Sequence, residues 1–168
     1  TQVVTVVPDV ASGPQSSVAV SAASFVAGDA GITVTVTARD GSGNPVSGVS
    51  VVVSATGTGN TITGPATTID ANGVATATLT STGAGAKSVS ATVNGVAVTQ
   101  TQAVTVAPAA VDGATSTVVA APNSLSADGG ASTVTVTARD AFGNAVSGET
   151  VTLAASGAGN TLTQPVGT

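Results

Sequence analysis

Displaced by one hundred positions, the chain matches itself: Thr1 falls on Thr101 and Thr68 on Thr168 without a gap, and roughly half of the paired residues are identical. TVTVTARDGSGNPVSG at Thr33 to Gly48 returns as TVTVTARDAFGNAVSG at Thr133 to Gly148, TQVVTVVP returns as TQAVTVAP, and GNTIT as GNTLT. A fixed period is the mark of a tandem array. A period of this length is that of an ordinary domain, so each unit owns a core and does not lean on its neighbours as a solenoid turn does.

Within one unit, ITVTVTARD sets Val34, Val36 and Ala38 on one face and Thr33, Thr35 and Thr37 on the other, the pattern of a half-buried strand. VSVVVSA is ambiguous alone. Its partner in the second repeat, ETVTLAA, turns Thr150 and Thr152 outward and Val151 and Leu153 inward, which by register makes Val51 and Val53 core. VATATLT is expected to bury either Ala75, Ala77 and Leu79 or the opposite set, and SVSATV to bury Val89, Ala91 and Val93; VAVTQTQAVTV closes the unit. The intervening DGSGNP, GTGN, DANG, TGAGA and NG are turn chemistry, because Gly and Asn accept positive φ and Pro fixes its own. No segment holds a 3.6-residue period. Seven short strands with turns every eight to twelve residues predict an all-β, immunoglobulin-like sandwich.

Composition narrows the function. Hydrophobic residues make up 42% and charged residues 7%, enough apolar side chains for a core, yet every apolar run is broken well before the ~18 residues a spanning helix needs. Arg39, Lys87 and Arg139 are the three cations against eight acidic residues, a balance that leaves no basic patch for nucleic acid. There is no Cys and no His, so a Ser or Thr nucleophile would depend on Lys87 or a carboxylate as its base. An enzyme is not expected. GAGAKS at Gly83 to Ser88 has the glycines of a phosphate loop, but Ala86 interrupts the motif and a strand follows, so it reads as a hairpin turn.

TVTARDGSGNPVSGVSVVV, followed by TTIDANGVATATLTSTGAGAKSVSATVNG, resembles the bacterial immunoglobulin-like family found in the stalks of intimin- and invasin-type adhesins and other bacterial surface proteins. The pattern is a strand, a D-x-x-G-N-P-V-x-G loop, a strand, then T-D-x-x-G-x-A-x-x-x-L-x-S-x-x-A-G. It covers one whole repeat and the first part of a second. The resemblance implies a rigid extracellular spacer on a bacterial surface, and it implies no binding activity for these repeats. Near absence of aromatic residues and low charge set this chain apart.

Calcium is the one cofactor with candidate ligands. Asp40 and Asn44 bracket a Gly-rich loop that recurs as Asp140 and Asn144, and Asp70 with Asn72 makes another oxygen-rich turn. Calcium takes six to eight oxygens, and two side chains per loop fall short; the alternative is that Asp and Asn hydrogen-bond their own turns. Phe25 aligns with Leu125 and is expected in the core. Phe142 aligns with Ser42 at a loop tip, where it is either an interaction candidate or packs locally or at a domain junction.

The expected organisation is the end of a preceding repeat's last strand at 1–8, a complete repeat at 15–107, a linker at 108–114 and the first part of a second repeat at 115–168. Thr168 corresponds to Thr68, so counterparts of Ile69 through Gln100 do not occur here, and Val134, Val136, Val151 and Leu153 are expected to lack cover. Burying such a side chain is worth about 1.5 to 3 kcal/mol. The function these features imply is a structural segment of a long bacterial extracellular stalk or fibre, with neighbouring repeats of the same chain as partners. A self-assembling filament of identical chains and a calcium-stiffened ligand-binding module are the other two readings.

Overall fold

The computed structural model describes residues 2–4, 7–64 and 68–165. The chain divides into two compact units, Thr1–Ala107 and Pro108–Thr168.

In the first unit, one sheet holds β1 (Ser17–Val20), β3 (Ile32–Thr37), β5 (Asn60–Thr63) and β6 (Val74–Ser81) in the order β1-β3-β6-β5, all antiparallel. The other holds β2 (Ser24–Val26), β4 (Val51–Ala55), β7 (Gly85–Val93) and β9 (Gln102–Ala107) in the order β2-β9-β7-β4, and the short β8 (Val96–Ala97) pairs with β7. β2 lies parallel to β9 while the remaining pairs are antiparallel. Two sheets sharing one core make the expected immunoglobulin-like sandwich.

Register follows the alternation read from the sequence. Val34 and Val36 pair with Ala77 and Ala75, Ile32 pairs with Leu79, and all of these side chains are buried. Val89, Ala91 and Val93 of β7 close the core from the facing sheet, with Val53 buried and Val51 partly buried beside them. Phe25 is partly buried against this core and not fully enclosed. The aliphatic core explains how two phenylalanines suffice: β-branched and small side chains fill the narrow space between twisted sheets without aromatic bulk.

Two details depart from the sequence expectation. Asn60–Thr63, which reads as part of a turn and its flank, forms β5 because Asn60, Thr61, Ile62 and Thr63 find partners on β6. β7 begins at Gly85, inside the expected TGAGA turn, because Gly85 and Ala86 pair with Val106 and Thr105 of β9. In both places cross-strand pairing overrides turn composition. Elsewhere a glycine is demanded by space: a Cβ on Gly13 would collide with the Ala97 carbonyl oxygen, so only glycine lets the entering chain pass over the β8 segment.

The second unit pairs β10 (Thr117–Ala121) with β11 (Thr133–Thr137) in the register of β1 with β3. Val134, Val136, Val151 and Leu153 are half-buried, whereas Val34 and Val36 are 0% exposed. The difference arises because β3 is covered by β6 and the facing sheet, and no described strand does this for β11. Of the expected strand tail at 1–8, Thr1, Thr5 and Val6 lie outside the described residues, as does Thr168; Gln2, Val3 and Val4 are exposed and in no strand.

Leu79, fully buried, is the sharpest probe of this core. Leu79→Ala is expected to lower the stability of the first unit by about 2 to 5 kcal/mol, read from chemical denaturation, while Leu153→Ala costs much less.

Candidate functional site

The inward alternation of β3 does not stop at its end. Ile32, Val34, Val36 and Ala38 are followed at the next inward position by Asp40, which is 3% exposed, and in the second unit Asp140 stands at the same position and is 0% exposed. A carboxylate buried at the end of an apolar row must be satisfied by donors. Both are, in the same way.

Asp40 Oδ1 accepts the backbone N–H groups of Ser42 and Asn44, each at 2.9 Å, and Oδ2 accepts Asn44 Nδ2 at 3.0 Å. These bonds wind the loop around the carboxylate, and the Gly43 N–H closes it by donating to the Asp40 carbonyl at 3.0 Å. Oδ2 takes a fourth donor from far along the chain, the Asp9 N–H at 3.2 Å. In the second unit Asp140 accepts from Phe142 and Asn144 N–H at 2.9 and 2.8 Å, from Asn144 Nδ2 at 2.7 Å, and from the Ala109 N–H at 2.9 Å. Each buried aspartate therefore ties the chain that enters its repeat to the loop that follows its central strand.

A short ladder reinforces the tie. Ala11 bridges Asp40 and Val111 bridges Asp140, the Ser12 N–H donates to the Arg39 carbonyl at 2.7 Å, and the Asp112 N–H to that of Arg139 at the same distance. Ser16 Oγ accepts the Arg39 N–H at 3.1 Å, and Ser116 Oγ accepts the Arg139 N–H at 3.0 Å. Arg39 and Arg139 turn their guanidinium groups to the Gly43 and Gly143 carbonyls.

Hydrogen bonding also sets the charge state. The Asn44 side chain, helped by the N–H groups of Asn44, Asp9 and Ser42 and opposed by burial, lowers the Asp40 pKa from 3.8 to about 2. For Asp140, burial pushes upward, yet the Asn144 amide and the N–H groups of Ala109, Asn144 and Phe142 together outweigh it, and the pKa is lowered. Both donor sets favour the ionised form.

Of the candidate calcium ligands, Asp40 meets Asn44 and Asp140 meets Asn144, but each amide presents its nitrogen to the carboxylate. Asp70 Oδ1 accepts the Asn72 and Val74 N–H groups at 2.9 and 2.7 Å, a turn bond of the same kind. Among the described residues no three acidic, His or Cys side chains gather as a metal site. Phe142 is anchored through its N–H, and the residue is 48% exposed. Sequence reasoning missed the amides of Asp9 and Ala109 and the hydroxyls of Ser16 and Ser116. A faint signal existed: between positions 9 and 17 the two repeats share only Gly13/Gly113 and Ser16/Ser116.

Two repeats that share one strand pairing, β1 with β3 and β10 with β11, each with a loop that fastens its own entry, define an immunoglobulin-like tandem array. The sequence profile described as "Invasin, domain 3" matches residues 12–109 and again 112–167, and the chain belongs to that family. No curated protein sequence matches. Among solved structures, the Escherichia coli adhesin FdeC is 35% identical, with a TM-score of 0.63 over 86% of this chain and 46% of that one. Yersinia pseudotuberculosis InvD is 22% identical, with a TM-score of 0.63 over 83% of this chain and 45% of its own. Invasin, a bacterial integrin-binding protein, is 24% identical, with a TM-score of 0.61 over 82% and 28%. The last two show the fold alone, and the chain spans less than half the length of each of the three. The protein is a segment of tandem immunoglobulin-like repeats of this family.

The lowered pKa of Asp40 has a signed consequence. A carboxyl group with pKa about 2 when folded and 3.8 ordinarily contributes stability in full above about pH 4, and loses it as pH falls through about 2. Asp40→Asn is expected to lower the melting temperature at pH 7, with the gap to the parent chain closing between pH 4 and pH 2 in thermal melts.

Proposed function

We propose that this chain is a spacer segment of a bacterial adhesin stalk, and that the buried aspartates limit bending where one repeat passes to the next. The observation that carries this reading is the distance in sequence between two fixed points. β9 ends at Ala107, and the Ala109 N–H is already bound to Asp140. Pro108 alone lies between them, a residue whose φ is fixed by its ring.

The linker at 108–114 thus consists, on this reading, of one free residue and a segment fastened to the second repeat by Ala109, Val111 and Asp112. Neighbouring repeats of the same chain are its partners on this reading. FdeC, an adhesin at 35% identity, supports placing the segment in a protein of that kind. Thr-rich outward faces suit a spacer because they are neutral, hydrated and strongly β-forming. The reading assigns no receptor contact to these residues.

The absence of cysteine permits a direct test. With spin labels on cysteines placed at the exposed positions Thr76 and Thr152, the parent chain is expected to give a narrow distance distribution. Pro108→Gly combined with Asp140→Asn is expected to broaden it. A parent distribution as broad as that of the variant would overturn the proposal.

A further inference from the structure

The seven asparagines of the chain differ in what their side-chain amides are free to do. Asn44, Asn60, Asn144 and Asn160 commit Nδ2 to a carboxylate or to loop carbonyls. Asn72 and Asn94 both precede glycine, and Asn123 precedes serine. When glycine follows, no Cβ shields its backbone nitrogen from the asparagine Cγ, and the main chain turns freely enough to bring the two together.

The two Asn-Gly pairs are held differently. The Gly73 N–H donates to the Asp70 carbonyl at 3.1 Å, the Gly73 carbonyl accepts the Ala38 N–H at 2.7 Å, and a Cβ on this buried residue would collide with the Ala38 carbonyl oxygen. Gly95 is exposed, its N–H has no partner among the described residues, and none of them lies within 4 Å of the place of its Cβ. Asn94 and Gly95 are the two turn residues between Val93 and Val96, with φ of 48° and 81°. Asn94 tolerates this left-handed conformation, and its own N–H is anchored to the Ser50 carbonyl at 2.8 Å. The anchor lies on the N-terminal side of its Cα. Attack on Cγ needs rotation about the bond on the other side, where the exposed peptide group to Gly95 is unrestrained by any hydrogen bond of its own among the described residues.

We propose that Asn94 is a site of spontaneous covalent modification, through cyclisation onto the Gly95 nitrogen. That nitrogen gives its proton to water or hydroxide and bonds to Asn94 Cγ; the Cγ–Nδ2 bond breaks, and Nδ2 leaves as ammonia with a proton returned from solvent. Water then opens the five-membered imide. Cleavage of the new nitrogen–Cγ bond gives aspartate, and cleavage at the Asn94 main-chain carbonyl gives isoaspartate, whose backbone runs through the former side-chain methylene.

Both products disturb what surrounds them. Aspartate adds a negative charge to the cleft that Asn94 lines together with Asp9 and Val46, in a chain already at −5. Isoaspartate lengthens a two-residue turn by one main-chain carbon, which the pairing of Val93 with Val96 cannot follow. β8 has only two residues, so its pairing goes with that register. The segment after β8 supports the entering chain: Val98 is buried with its N–H on the Ala91 carbonyl at 2.9 Å, and the Thr99 N–H donates to the Gly13 carbonyl at 3.2 Å. Modification at Asn94 therefore loosens the seat of the entering chain.

Ageing the 168-residue chain at mildly alkaline pH tests this, with peptide mass spectrometry to locate the amide that has become an acid and an isoaspartate-specific methyltransferase to mark the rearranged product. Asn94 is expected to convert roughly tenfold or more faster than Asn72, because Gly73 must first give up two backbone hydrogen bonds. In denaturant the two sites share one dipeptide and are expected to convert at similar rates. Asn94→Gln is expected to remove most of the methyl-accepting product, and the isoaspartate fraction of the parent chain to exchange its Val96 and Val98 amides faster. Conversion at Asn72 or Asn123 as fast as at Asn94 in the folded chain overturns the proposal. So does an Asn94 that stays intact while the denatured chain converts, and unchanged exchange at Val98 in the modified fraction overturns the loosening.

Discussion

Period-two alternation along β3, carried one step past the end of the strand, is the constraint on which the rest of the molecule depends. Ile32, Val34, Val36 and Ala38 point into the sandwich, and the same geometry delivers Asp40 to the next inward position. An apolar residue there would end the core quietly. A carboxylate there must recruit donors, because an unsatisfied buried charge costs more than the fold can spare. The donors it recruits are the turn that follows and the chain that enters, so core, loop and entry become one cooperative unit.

This coupling explains why a loop without chemistry is copied from repeat to repeat. TARD and GN are kept together because the aspartate needs the asparagine amide and the loop N–H groups at one geometry. Ser42 and Phe142 differ because only their backbone N–H is used. Pro45 and Ala145 differ because each bridges an arginine backbone. Within each repeat the device fastens the entering chain with neutral donors, which moderate acid leaves in place.

The two repeats also show how much of a strand's environment is supplied from outside it. Thr33 to Asp40 and Thr133 to Asp140 are identical in sequence, yet Val34 and Val36 are enclosed and Val134 and Val136 only half-covered. Local propensity makes both into strands. Burial belongs to β6 and the facing sheet in the first repeat, and to no described strand in the second.

Fold class, core faces and the tandem period were legible in the sequence, because alternation and repetition are one-dimensional signals and a one-residue slip of register would expose every core side chain. Asp40, Asn44, Asp140 and Asn144 stood out for the same reason, as polar residues recurring at a fixed spacing. Their role did not, since the donors that complete it, Asp9 and Ala109, lie 31 residues away in the chain and contribute backbone amides that carry no side-chain identity. β5 and the early start of β7 were hidden behind turn-like composition until cross-strand partners formed them.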